Sequence, residues 1–141
     1  MHGKFYIHRD LKPENFLIGL GKNEGTLHLI DYGLAKKYIE PSTGHHIEFK
    51  ERLKFVGALR YASLNAHLGH ELGRKDDLES IGFILIYLMR GTLPWQGKSA
   101  SKTREELERS ISKKKNETSI PSLCKDLPGT THIPLINFRR V

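Results

Sequence analysis

His8-Arg9-Asp10-Leu11-Lys12-Pro13-Glu14-Asn15, followed by Asp31-Tyr32-Gly33, is the stretch whose reading decides the fold. It sets an Asp, a Lys, an Asn and a second Asp in the order that moving a phosphoryl group requires. That chemistry is mostly positioning and charge neutralisation, and the roles follow its general account. Asp10 suits the residue that orients a substrate hydroxyl and accepts its proton. Lys12, two residues on, can meet the transferred phosphate as a point charge. Asn15 offers a neutral amide oxygen, a hard ligand for Mg²⁺. Asp31 adds a carboxylate; Mg²⁺ is usually held by one or two carboxylates plus phosphate oxygens.

Local structure explains the spacing. Phe16-Leu17-Ile18 and Leu27-His28-Leu29-Ile30 are short apolar runs with strand character. The segment from Gly19 to Gly25 between them is rich in turn residues. A β-hairpin is predicted that returns Asp31 beside Asn15, so that the two can share a metal. Gly33 frees the backbone to change direction after Asp31. Either tripeptide alone would be unremarkable; the octapeptide, the strand-turn-strand and the Asp-aromatic-Gly in order are far more specific.

At these residues the chain resembles the eukaryotic protein kinases, and more narrowly the casein kinase I family. Pro13-Glu14-Asn15-Phe16-Leu17-Ile18-Gly19 resembles that family's catalytic loop and following strand, and Gly33-Leu34-Ala35-Lys36-Lys37-Tyr38 the start of its activation segment. The run from Arg60 to Gly69 is similar to the family's substitute for the Ala-Pro-Glu motif. Asp76 to Gly82 and Leu93-Pro94-Trp95-Gln96-Gly97 complete the pattern. The likeness spans about residue 2 to about residue 127. Tyr32 replaces the usual Phe, as in the related vaccinia-related kinases, whereas Pro94 to Gly97 and Asn65-Ala66-His67 favour casein kinase I. A buried Tyr32 would need a partner for its hydroxyl. Leu59 stands where the family usually has Ala, and is expected to crowd the substrate hydroxyl.

The resemblance implies a mainly α protein with a small β-hairpin, an α+β fold corresponding to the C-terminal large lobe of a kinase, truncated at both ends. Residues 1–127 would be the family-like part of a partial kinase domain, and residues 128–141 a divergent, poorly ordered tail. It implies ATP and Mg²⁺ as cofactors, with the metal held by Asn15 and Asp31. Asp77 would hydrogen-bond the catalytic-loop backbone near His8 and Arg9; a carboxylate there also favours the start of a helix. The family's substrate anion pocket combines an Arg, a Gly and a Lys. Arg60 and Gly97 match the first two. Leu107 or Glu106 falls where the Lys should be, with Lys102 or Arg104 as substitutes. One cation fewer would weaken phosphate binding.

No G-x-G-x-x-G stretch, V-A-x-K strand or partner Glu precedes the loop. The expected function is therefore a Ser/Thr kinase of casein kinase I type whose isolated chain lacks the nucleotide-binding lobe and transfers little phosphate by itself. The alternative is a non-catalytic fragment acting as a binding module.

Composition agrees with an ordinary globular chain: 141 residues, 38% hydrophobic, formal charge +7. Much of the basic charge lies between Lys98 and Lys115, which would attract acidic or phosphorylated protein substrates. Nucleic acid is not expected, for no aromatic interleaving or nucleic-acid motif accompanies it; taken singly, the charges read as a solvated helix face. The single Cys124 excludes an internal disulfide and suits a reducing compartment. No signal peptide is visible, and the run from Phe83 to Met89 is too short to span a bilayer, so no membrane insertion is expected. The expected location is intracellular, cytoplasmic and also nuclear.

Residues 1–7 read as the end of a helix, and 34–60 as a long irregular segment. His45-His46, with no third ligand nearby, reads as polar surface. Asp77 to Arg90 reads as a helix apolar around nearly its whole circumference, central and buried, ended by Gly91. Trp95 reads as core. Thr103-Arg104-Glu105-Glu106 is a capping-box pattern that starts a helix running to about Lys114, with Leu107 and Ile111 on its buried side. Ile120 to Cys124 reads as a further short helix.

Overall fold

The computed structural model describes residues 1–97 and 103–127. The tail expected over 128–141, and the cations Lys98 and Lys102, lie outside the described residues. The fold is α+β: four helices and two small antiparallel sheets among the described residues.

The chain begins with a single 3-10 turn, His2–Lys4, closed by Phe5 in the left-handed region (φ 66°). Strand β1, Tyr6–Ile7, follows and pairs with β4, Lys36–Lys37. This corrects the expectation of a helix over residues 1–7. Ile7 is fully buried, and its burial against the second strand outweighs continuation of a helical turn.

The predicted hairpin is present. Strand β2, Phe16–Ile18, pairs antiparallel with β3, Leu27–Leu29, in the register Phe16 to Leu29. Ile30 N–H then donates to the Asn15 carbonyl at 3.0 Å. The hairpin thus ends with Asn15 and Ile30 paired, one residue before Asp31.

The segment after β4 is irregular, as expected, with one bridge between Ile39 and His46. It ends in α1, Leu64–Leu68, which the sequence reading did not separate from its surroundings. Ser63 caps that helix by accepting the Ala66 N–H at 3.2 Å.

Helix α2, Arg74–Arg90, runs through the main core, where Phe83 and Ile86 are fully buried among Leu11, Tyr61, Leu93 and Trp95. The Phe83 and Trp95 rings meet edge to face at 4.9 Å. Burial is one-sided, however, and this corrects the all-round prediction. Leu85, Leu88 and Met89 are 45%, 65% and 45% exposed. Spacings of three and four residues put them on one stripe, away from Phe83 and Ile86. An apolar circumference permits burial; neighbouring elements decide which side receives it.

Helix α3, Arg104–Glu117, carries both arms of the predicted capping box. Thr103 N–H donates to Glu106 Oε2 at 2.8 Å and Glu106 N–H to Thr103 Oγ1 at 3.2 Å. Its inner stripe is Leu107, Ile111 and Lys115, four residues apart. Lys115 is fully buried, which corrects its reading as part of a solvated basic face. Its ammonium lies 5.2 Å from the centroids of both the Phe83 and Trp95 rings, so the lysine is accommodated by π faces and by backbone acceptors described below. Helix α4, Ile120–Leu123, closes the described chain. No helix among the described residues is long and apolar enough to cross a membrane.

Candidate active site

The loop between β1 and β2 is held from below by one carboxylate. Asp77, near the start of α2, accepts the His8 N–H at 2.8 Å and the Arg9 N–H at 3.0 Å. Arg9 sits at φ 68°, left-handed for a non-glycine residue, a conformation that persists only where surroundings over-determine it. The Asp77 clamp supplies that determination. His2 Nε2 also reaches Asp77 Oδ2, at 2.8 Å, a contact that sequence reasoning missed.

His8 ties the loop to the hairpin. The Asp10 N–H donates to its Nδ1 at 3.3 Å, and its Nε2 lies 3.0 Å from the Ile30 carbonyl. An accepting Nδ1 assigns the ring proton to Nε2, where Ile30 O takes it. One imidazole therefore fixes Asp10 and the approach to Asp31 together. Arg9 Nε donates to Leu34 O at 2.7 Å beyond the Asp-Tyr-Gly turn. Burial lowers the Arg9 pKa from its ordinary value, with Glu71 and Asp77 opposing the shift.

Asp10 and Lys12 form a pair at 3.0 Å. The hydrogen bond to Asp10 and its charge raise the Lys12 pKa; Asp31 and Glu14 contribute in the same direction. Lys12 thus senses both carboxylates at the site. Asn15 is buried and its Nδ2 donates to the Asp10 carbonyl at 2.9 Å. That bond commits the amide nitrogen and leaves Oδ1 as the ligand atom.

Asp31 is exposed, at φ 61°, with Gly33 N–H donating to its Oδ1 at 3.3 Å. A neutral amide oxygen and an exposed carboxylate at one end of a hairpin are donors of the kind that suits Mg²⁺, which shares its coordination with phosphate oxygens. No cluster of three or more His, Cys, Asp or Glu able to hold a metal occurs among the described residues. Tyr32 is exposed rather than buried; its hydroxyl donates to Leu29 O at 2.7 Å, and its ring lies 5.6 Å from His8.

Gly57 meets the loop from the other side. At φ 95°, a Cβ there would stand 2.3 Å from the Arg9 carbonyl oxygen. Only glycine permits this approach. The sequence reading gave residues 34–60 only as a long irregular segment and did not single out Gly57.

Arg60 and Gly97, the predicted anion residues, do line one cavity of about 320 Å³. Leu59, Leu107 and Ile111 line it as well. Of the two residues weighed for the place of a lysine, Leu107 lines this cavity, whereas Glu106 is exposed and engaged in capping through Thr103. The Arg60 guanidinium lies 5.7 Å from the Tyr61 ring centroid and 5.5 Å from that of Tyr87.

The wall bearing Arg60 is fixed by two residues whose roles the sequence did not disclose. Trp95 Nε1 donates to the Arg60 carbonyl at 2.8 Å. Lys115 Nζ donates to Leu59 O at 2.9 Å and Ala62 O at 2.6 Å, and lies 3.1 Å from His67 Nε2. Trp95 was read correctly as core but also holds this wall. Burial, then the nearby Lys115 charge, pushes the His67 pKa down to about 3.

Among known families, the model of the protein kinase domain matches residues 1–130.

Proposed function

The chain belongs to the protein kinase family, and from that premise we propose a Ser/Thr kinase of casein kinase I type. It would transfer the γ-phosphate of ATP to serine or threonine in acidic or pre-phosphorylated proteins. Kinases of this family use ATP and Mg²⁺ and act on protein substrates.

The observation that carries the reading is the joint fixing of Asp10 and Asn15 by one loop and a hairpin that ends one residue before Asp31. His8 Nδ1 takes the Asp10 N–H, Asn15 Nδ2 holds the Asp10 carbonyl, and Ile30 N–H pairs with Asn15 O. In the proposed reaction Asp10 orients the substrate hydroxyl and takes its proton. Lys12 stays charged beside Asp10 and neutralises the phosphoryl group in transit. Asn15 Oδ1 and the Asp31 carboxylate would hold Mg²⁺, whose charge offsets that developing on the phosphates. Arg60 would draw the acidic flank of the peptide. The buried free thiol of Cys124 accords with an intracellular, reducing setting, which forms part of the proposal.

Phosphorylation of casein tests the reading. The isolated 141 residues contain no Gly-rich phosphate loop and no V-A-x-K strand, so they should turn over far below the roughly 1–100 s⁻¹ of intact kinases. Joined in frame behind the small lobe of an active protein kinase, the same chain should gain turnover. Full turnover by the isolated chain would overturn the expected dependence on that lobe.

A second reading, a non-catalytic binding module, draws on the exposed apolar side chains of the hairpin. Ile18, Leu20 and Leu27 are 69%, 87% and 67% exposed. An inert but well-folded chimera would favour it.

A further inference from the structure

A cavity of about 420 Å³ opens where the turn before β1 meets the loop after β4. Lys4, Phe5 and Tyr6 line it from the first side, and Lys37, Ile39 and Pro41 from the second. None of these residues serves the site built around Asp10.

Backbone hydrogen bonds shape both sides. Tyr38 N–H donates to Phe5 O at 3.0 Å, which ties the turn to the end of β4. Gly44 N–H donates to Glu40 O at 2.8 Å and Glu40 N–H to His45 O at 2.8 Å, closing the loop that carries Pro41. The cavity is therefore set before any partner arrives.

Phe5 is its most informative residue. It is 55% exposed and stands at φ 66°. Glycine or asparagine takes that conformation at less cost, and a bulky side chain there is rare. The Phe5 ring meets Tyr38 edge to face at 6.5 Å. Tyr6 is 38% exposed, with Lys37 Nζ 5.6 Å from its ring centroid. The chain thus holds two aromatic rings largely in water, one of them on a strained backbone. Strain of this kind collects at functional surfaces.

Charge narrows the partner. Lys4 and Lys37 are both exposed. No acidic residue lines the cavity among the described residues, and residues 98–102 and 128–141 contain none. Glu40, between Ile39 and Pro41, takes the Ser42 hydroxyl at 3.1 Å. Two cations are few for a nucleic acid, whose affinity grows with the number of phosphates neutralised. Walls of isoleucine and proline give a base no aromatic face to stack on. They suit an apolar side chain with carboxylates beside it. We propose that this cavity docks a partner protein through a short segment in which a phenylalanine or leucine is flanked by aspartate or glutamate.

The test is an array of short peptides without Ser, Thr or Tyr, and so without an acceptor hydroxyl, probed with the full chain in the absence of ATP. Retained peptides should share a Phe or Leu next to at least one Asp or Glu. In fluorescence anisotropy, Phe5→Asn suits the left-handed backbone and leaves the charge unchanged. It should weaken the best peptide about tenfold, the effect of losing one aromatic anchor. Lys37→Glu, at an exposed position, should weaken it as well and reduce its dependence on salt; it keeps the test decisive should Phe5→Asn misfold. Retention of no peptide, retention of peptides without an acidic residue, or equal binding by the parent and the folded variants would each overturn the proposal. So would binding of oligouridylate in place of any peptide, or self-association of the chain that Phe5→Asn abolishes while no peptide is retained. Because the peptides cannot be phosphorylated, the outcome is independent of whether the chain transfers phosphate.

Discussion

Asp77 Oδ1 accepts the backbone N–H of Arg9 at 3.0 Å across 68 residues of sequence. Its Oδ2 takes the neighbouring His8 N–H at 2.8 Å. One buried carboxylate near the start of α2 thus sets the conformation of two consecutive residues immediately before Asp10. The loop that carries Asp10 is shaped by α2 through Asp77.

Replacing Asp77 with Asn leaves one oxygen for the buried His8 N–H and the part-buried Arg9 N–H. A buried donor without a partner costs about 1–3 kcal/mol, so the variant should lose stability by that amount in urea denaturation. Arg9 should relax from its left-handed conformation, displacing Asp10. A variant as stable as the parent would show that water or His2 replaces the clamp.

Gly57→Ala should be more severe. The added Cβ would fall 2.3 Å from Arg9 O at a φ of 95°, so both strain and overlap act on the loop that Asp77 holds. The expected loss is about 3 kcal/mol or more, since left-handed strain contributes about 1–3 kcal/mol and the overlap adds to it. A thermal melt checks this directly.

Lys115→Met keeps the stem against Phe83 and Trp95 but removes the ammonium from the Leu59 and Ala62 carbonyls. Two acceptors lose a partner, while the cost of burying a charge is relieved. The net destabilisation should be about 1–3 kcal/mol, and peptides that depend on Arg60 should bind more weakly. Lys115→Arg should restore part of both. Loss of stability with intact peptide selectivity would make Lys115 purely structural.

His67 gives stability a pH dependence. Its folded pKa of about 3 lies below the ordinary value near 6.5. Between these values the unfolded chain binds the extra proton. The neutral imidazole's contribution is therefore complete above about pH 6.5 and is lost as pH falls toward the folded value. His67→Gln retains an acceptor for Lys115 and cannot titrate. Between pH 6.5 and 4 it should lose stability less steeply than the parent, by up to about one proton in slope; parallel pH profiles would contradict the assignment.

Much of this was legible in the residues because it is local. The Phe16–Ile18 and Leu27–Leu29 runs flank a turn-rich segment and form the hairpin as read; their pairing brings Asn15 to Ile30, one residue before the Asp31 that the reading set beside it. Thr103 and Glu106 announced the start of α3 for the same reason. What escaped depends on partners far along the chain. Nothing local distinguishes Lys115 from Lys113 or Lys114, yet it alone falls in register with Leu107 and Ile111. The exposed stripe of Leu85, Leu88 and Met89 looked like core because composition does not say which face a neighbour covers. Gly57 and the Trp95 N–H matter only through where Arg9 and Arg60 arrive in space.

The most direct measurement is the effect of Asp10→Asn on phosphate transfer from ATP to an acidic serine peptide, with the chain joined behind a kinase small lobe. A positioned base is worth about 10²–10⁴ in rate. The account predicts a loss of that size with little change in peptide binding. Equal turnover by the folded parent and Asp10→Asn proteins would contradict it.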